Sequence, residues 1–309
     1  MPALRRVAAP PSVATLTHLI NKQRAPYVFI APFFILFAVF MVWPILYSVW
    51  LSLHEVRQLT RFTYIGLGNY LNLFKDARFH HALVNTTYFA VAMGLLNVVL
   101  GFTFSLMVTA RNVRWSHGAR LSLFLPTLVS TVIAGAVFRL MLLDTPGGLL
   151  NHLVGYLGVP PQNWLDDSRW ALKSVIALAF WRHIGLSTIY FIGGLQALPT
   201  DLYEAARIDG AGPWQQLRFL TIPLMRPMIA FVSTITLIES YLVFTEVYVM
   251  SPGGVARDNV VTLGYFLWES AFRFFRLGYG AAVGFVMTLI IVVLSVVQLK
   301  LLGVFRSDD

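Results

Sequence analysis

Glu204-Ala205-Ala206-Arg207-Ile208-Asp209-Gly210-Ala211-Gly212-Pro213-Trp214, followed by Leu217-Arg218-Phe219-Leu220-Thr221-Ile222-Pro223-Leu224-Met225-Arg226-Pro227, is the stretch on which the reading of this chain turns. Its chemistry predicts two short helices joined by a bend. Pro199 with Thr200 or Asp201 starts the first, Glu204 suits its opening turn, and Gly210 ends it in a left-handed cap. Gly212-Pro213 then turns the chain, Trp214 to Leu220 forms the second helix, and Pro223 and Pro227 redirect the backbone. The product is a compact polar elbow between two long apolar blocks.

Working outward, six segments reach the roughly 20 mainly apolar residues that a helix needs to cross a bilayer. They are Pro26 to Leu53, Ala82 to Ala110, Ala119 to Leu143, Ala171 to Ala197, Pro227 to Met250, and Leu277 to Gly303. Pro44 and Pro126 fall inside spans and are expected to kink them. Thr145-Pro146-Gly147-Gly148 and Ser251-Pro252-Gly253-Gly254 punctuate the chain as loops. The whole chain agrees: of 309 residues 57% are hydrophobic and 12% charged, with a mean hydropathy of +0.70, far more apolar surface than a soluble core requires.

The net charge of +9 is scattered between apolar blocks and does not cluster on one polar face, which argues against nucleic acid and for a basic membrane side. An even number of spans puts both termini on one side. Lys and Arg are more numerous in the termini and the loops sharing their side than in the other three loops, so the termini are expected in the cytoplasm. The first apolar block is about twice the length of a signal-peptide core and lacks a small-residue cleavage site, so it is read as a retained span. Val13, Leu16, Leu19 and Ile20 have the spacing of a helix lying on the membrane surface, with a frayed polar tail as the alternative.

Several chemistries lack their residues. There is no cysteine, so disulfides, iron–sulfur clusters and thiolates are excluded. Lys22, Lys75, Lys173 and Lys300 are the only lysines and none follows a glycine, so the chain has no phosphate-cradling loop and should not hydrolyse ATP itself. His80, His81 and His117 show no metal-ligand spacing and read as solvated loop histidines, so no metal is expected. No repeat of 20 to 50 residues is present and no soluble domain interrupts the spans.

The elbow resembles the hallmark of the inner-membrane permeases of binding-protein-dependent ABC importers: Glu-Ala-Ala, three residues, Gly, nine residues, Ile, any residue, Leu, Pro. Here the matching positions are Glu204, Ala205, Ala206, Gly210, Leu220, Ile222 and Pro223, with two aliphatic types exchanged. Gly66-Leu67-Gly68-Asn69-Tyr70, Asn85-Thr86-Thr87 and Gly278-Tyr279-Gly280-Ala281-Ala282 resemble the carbohydrate and glycerol-phosphate branch, similar to maltose-type permeases. The resemblance implies an all-α polytopic membrane protein with the type I importer transmembrane fold. It divides the chain into a cytoplasmic tail at 1–24, a first span with outer loop at 25–81, a five-span core at 82–303, and a tail at 304–309. Within the core, 198–227 would be the coupling loop that seats on an ATPase subunit, with Glu204, Ala205, Ala206, Asp209, Gly210, Ala211, Leu220 and Pro223 as its contacts. Implied partners are a second, distinct permease, two ATPase subunits carrying ATP and Mg, an extracytoplasmic solute-binding protein and a sugar-type solute, all at a prokaryotic cell membrane. No cofactor would be bound by this chain.

Inside the spans the residues speak directly. Ionisable groups at mid-bilayer cost about 2.5 to 3.5 kcal/mol on insertion scales, so Arg182, Glu239 and Glu246 must face water or a partner. Ser233, Thr236, Glu239, Ser240 and Glu246 recur at helical spacing and mark one face of the fifth span as the transport path. Arg182 lies about 16 Å from one end of its span and Glu239 about 18 Å from the opposite end of the next, so their depths match and a pair between them is expected. Tyr241, Phe244, Tyr248 and Trp181 lie near these groups in sequence and suit the faces of sugar rings. Asn97 reads as a hydrogen bond between helices. One Arg against two Glu favours a neutral sugar over glycerol phosphate.

Two other classes fit less well. A secondary transporter should show inverted repeats and broken helices holding ions. An intramembrane enzyme needs a nucleophile with its base, or a metal motif, within the spans.

Overall fold

The computed structural model describes residues 27–57, 60–109, 116–145, 148–251 and 257–303. The candidate surface helix at Val13 to Ile20, both tails, and the Pro146-Gly147 and Pro252-Gly253-Gly254 loop residues lie outside them. Four helices are long and apolar enough to cross a membrane singly, and two bent pairs bring the number to six. The chain is a multi-pass, mostly helical membrane protein.

Helix α1 (Tyr27–Ser52) carries a wide π turn at Ala38–Val42 immediately before Pro44. Proline offers no N–H and its ring crowds the carbonyl four residues back, and the widened turn absorbs both effects. Along its most apolar stretch α1 buries nothing against the rest of the chain, and its second half, Trp43–Ser52, runs beside the last helix of the chain and buries Ser52. There an antiparallel hairpin of β1 (His54–Arg57) and β2 (Arg61–Tyr64) leads into α2 (Gly68–Lys75). Asn69 Nδ2 donates to Ser52 O at 2.8 Å and His54 O at 3.0 Å, satisfying carbonyls that the helix end leaves free. Thus the Gly-Leu-Gly-Asn-Tyr motif is a clamp on the first span.

Helices α3 (Ala77–Thr109), α7 (Ala171–Gln196) and α10 (Arg226–Tyr241) form the centre of the bundle. The third span was expected as one kinked helix, Ala119 to Leu143. It consists instead of α4 (Ser116–Leu128) and α5 (Thr131–Met141), bent by 96°. The break falls two residues after Pro126, and Thr127 Oγ1 there donates to the backbone oxygen of Arg182 at 2.8 Å. A short α6 (Leu149–Gly155) follows α5 before the chain returns to α7.

The fifth span also departs from expectation. Helix α10 ends at Tyr241, the chain is non-helical at 243–244, and α11 (Thr245–Met250) resumes afterwards. The stretch after it, read as a loop, contains the buried helix α12 (Leu263–Trp268), continued by a π turn at Glu269–Arg273. Gly264 of α12 sits on the break itself: a Cβ there would lie 2.6 Å from Val243 O and 3.0 Å from Leu242 O. No other residue type fits that approach. Asn85 Nδ2 donates to Asp258 O and Val261 O, Thr86 Oγ1 accepts from Leu263 N at 2.8 Å, and Thr87 Oγ1 lies 3.0 Å from Tyr241 Oη. The Asn-Thr-Thr motif therefore holds α12 and the broken span on α3. Last comes α13 (Leu277–Leu301), whose Tyr279 donates to Asp76 Oδ2 at 2.8 Å.

Candidate functional site

Two features stand at the opposite ends of α10. At its start is the elbow, made of α8 (Thr200–Ile208) and α9 (Pro213–Leu224), the latter bent by 63° from α10. Gly210 has φ of +81°, Ala211 N donates to Ala206 O at 2.8 Å and Gly210 N to Arg207 O at 3.1 Å, the paired bonds of a Schellman cap. Gly212 N then donates to Gln215 Oε1 at 2.7 Å and Pro213 opens the second helix. Tyr203 Oη meets Thr221 Oγ1 at 3.0 Å and fixes the two helices to each other. The local rules of capping and turning thus produce the expected shape.

The elbow's surface is less polar than expected. Nothing on α8 is buried, and Ile208, Trp214 and Phe219 are 85%, 70% and 70% exposed. Glu204, Ala205, Asp209 and Gly210 are exposed, and Ala206, Asp209, Gly210, Ala211 and Leu220 rim a hollow of about 420 Å³; Pro223 lies in the last turn of α9, outside it. Large apolar side chains around a hollow on a polar knuckle have the character of a contact surface. At the base, Met225 is buried with Phe191 and Val232, so the elbow is packed onto α7 and α10 and cannot move without them.

At the far end of α10 the break opens a cleft of about 240 Å³. Glu239, Ser240, Phe244 and Glu246 line it, as expected of the candidate path residues. Thr236, expected on the same face of the span, lines it too, and it also takes Asn97 from α3 and His183 from α7, which were not expected there. Trp181, Tyr241 and Tyr248 do not line it. Trp181 stacks on Phe138, Tyr241 is buried on Thr87, and Tyr248 packs with Phe244 on Trp268. A larger hollow of about 790 Å³ lies at the hairpin end, between Glu55, Asn72 and Arg276, but His183, Glu239 and Glu246 of the spans converge on the smaller one.

The expected Arg182–Glu239 pair is not formed. Arg182 Nη1 lies 3.1 Å from Glu246 Oε1, and both side chains are largely buried. The break accounts for the exchange. Extrapolating one straight helix put Glu239 at the depth of Arg182, whereas the non-helical residues 243–244 swing Glu246 back towards α7. Glu239 itself is exposed and has no hydrogen bond or ion pair among the described residues. A carboxylate so placed in mid-membrane cannot face acyl chains without a cost of several kcal/mol, so this face of α10 turns to water or to another protein. Among the described residues no group of His, Asp and Glu could hold a metal ion.

Comparison with known proteins agrees with this geometry. Residues 7–302 match the family described as "Binding-protein-dependent transport system inner membrane component". The arabinooligosaccharides transport system permease protein AraP of Bacillus subtilis (strain 168) is 33% identical over 292 residues, covering 93% of this chain and 91% of that one. The lactose transport system permease protein LacF of Rhizobium radiobacter is 34% identical over 277 residues, covering 88% and 92%. Among solved structures, a chain of a bacterial ABC transporter involved in the import of the acidic polysaccharide alginate superposes with a TM-score of 0.78. It covers 94% of this chain and 99% of that one at 19% identity, a likeness of fold.

Proposed function

The chain belongs to the family of inner-membrane components of binding-protein-dependent transport systems, and from that premise we propose that it forms half of the path by which an ATP-driven importer takes in a sugar-type solute. The observation that carries the reading is Glu239: a free carboxylate on an open cleft in mid-membrane, on the helix that starts at the elbow. A cleft of about 240 Å³ is small beside the ~300–1,000 Å³ of complete ligand sites, as suits a wall that a second permease completes.

In this account the elbow faces the cytoplasm, together with both termini, and seats through Glu204, Asp209, Gly210 and the exposed Ile208, Trp214 and Phe219 on one of two ATPase subunits. Those subunits bind ATP and Mg. A solute-loaded binding protein docks at the hairpin end. Closure of the ATPase pair pushes the elbow, α10 carries the displacement to the break at 243–244, and the cleft changes the side on which it is open. The sugar-type solute is supported by the relatives named for arabinooligosaccharides and lactose.

The test is reconstitution of this chain with its second permease and ATPase subunits in proteoliposomes, with ATP inside. Outside are the cognate binding protein and a mixture of neutral di- and trisaccharides. Uptake, read by mass spectrometry of the vesicle contents, should require both ATP and binding protein. Uptake driven by an ion gradient without ATP would contradict the reading.

A further inference from the structure

The acidic side chains that line the cleft, Glu239 and Glu246, meet no lysine or arginine among its other lining residues. Glu239 offers two carboxylate oxygens and no donor. Ser240 Oγ spends its proton on Thr236 O at 2.6 Å and is left able only to accept. His183 Nδ1 donates to Ala179 O at 2.8 Å, so that proton is spent within α7. The cation nearest the cleft, Arg182, is engaged by Glu246 and does not line the cavity.

We propose that Glu239 is a charge filter, which makes this half of the path select saccharides whose groups donate hydrogen bonds while turning away those that carry a carboxylate or a phosphate. The inference rests on the cleft being part of the solute path and adds the class of solute it admits. A sugar hydroxyl donates to the exposed Glu239 carboxylate and still accepts from water, so a neutral saccharide brings a donor and no opposing charge. A uronate or a sugar phosphate brings only acceptors to its charged end and sets a second negative charge against Glu239, in a space from which much water is excluded. The likeness to the alginate importer, at 19% identity, is one of fold, and this cleft would refuse that polymer.

The experiment is equilibrium dialysis of the whole importer complex in nanodiscs, without binding protein, at pH 7.5, where an ordinary imidazole is mostly neutral. The probes are radiolabelled cellobiose and cellobiouronic acid, matched in size and differing in charge. Wild-type complex should bind the neutral sugar about tenfold more tightly than the uronate. Glu239→Gln should shrink that ratio to about threefold or less, and Glu239→Asp should restore it. Equal binding of the two by the wild type, or a ratio unmoved in Glu239→Gln complexes that still hydrolyse ATP, overturns the proposal. So does the absence of binding by either sugar in a complex that carries out uptake with ATP and binding protein, an outcome that leaves the proposed function standing. Loss of that uptake in the wild type defeats the function itself.

Discussion

The elbow and the cleft are built on the same helix by opposite means. The caps and the turn of the elbow are decided within about ten residues: the left-handed Gly210, the Gly212–Gln215 bond, Pro213 in the opening turn. The cleft draws Asn97, His183, Glu239 and Glu246 from three spans, and it exists only because α12 props open a break that local sequence does not announce. A region made from neighbours keeps its shape while it is pushed. One made from distant parts has alternatives available, the division of labour that the proposed function asks of a handle and a gate.

The largest effect should come from removing the prop. Gly264→Leu forces a side chain against Val243 O and Leu242 O, backbone atoms that cannot yield, so destabilisation of about 3 kcal/mol is expected. Thermal melting in detergent measures it, and an unchanged midpoint would mean that α12 does not hold the break. Next is the buried pair. Arg182→Leu leaves Glu246 without its cation, at a cost of about 3 kcal/mol, and Glu246→Leu in the same chain should recover most of it. In a double-mutant cycle Arg182 and Glu246 should couple, whereas Arg182→Leu and Glu239→Gln should add to within about 0.5 kcal/mol. At the handle, Gly210→Val asks a β-branched residue to hold φ of +81°, a local strain of about 1–2 kcal/mol. Melting should fall little while ATP-driven uptake is lost, and a variant with normal uptake would detach the cap from coupling.

The smallest effect belongs to an exposed pair outside the spans. Arg169 donates to Asp167 from its side chain and its backbone and holds that carboxyl down at about 2. A folded value below the ordinary carboxylate range of about 3.9 stabilises above that range and is lost only as pH falls towards 2. Asp167→Asn should therefore leave the pH dependence of melting unchanged between pH 5 and 8, and a shift there would mean a partner beyond Arg169.

What could be read in advance follows the same division. Span number, the elbow and its caps were legible because length, apolarity, proline and glycine act locally. The breaks after Pro126 and Tyr241 were not. Proline signals a weak point, but the 96° turn depends on what α4 and α5 find to pack against, and Leu242-Val243-Phe244 carries no breaker at all. Once the fifth span was taken as straight, Arg182 was matched to the wrong glutamate and Tyr241 and Tyr248 to the wrong face. Proximity in sequence brought Trp181 into the expected site, and packing on Phe138 takes it out. The Asn-Thr-Thr run was noticed as a motif, and only the fold reveals it as the anchor of α12.

Because the chain has no cysteine, one placed at Ile208 would be its sole thiol and the most direct probe of the elbow as a handle. Crosslinking of that thiol in membranes containing the whole importer should yield an adduct with the ATP-hydrolysing subunit, and the locked complex should cease uptake until the link is reduced. An adduct with no nucleotide-hydrolysing protein, or a thiol modified only by impermeant reagents added from outside the cell, would contradict the account.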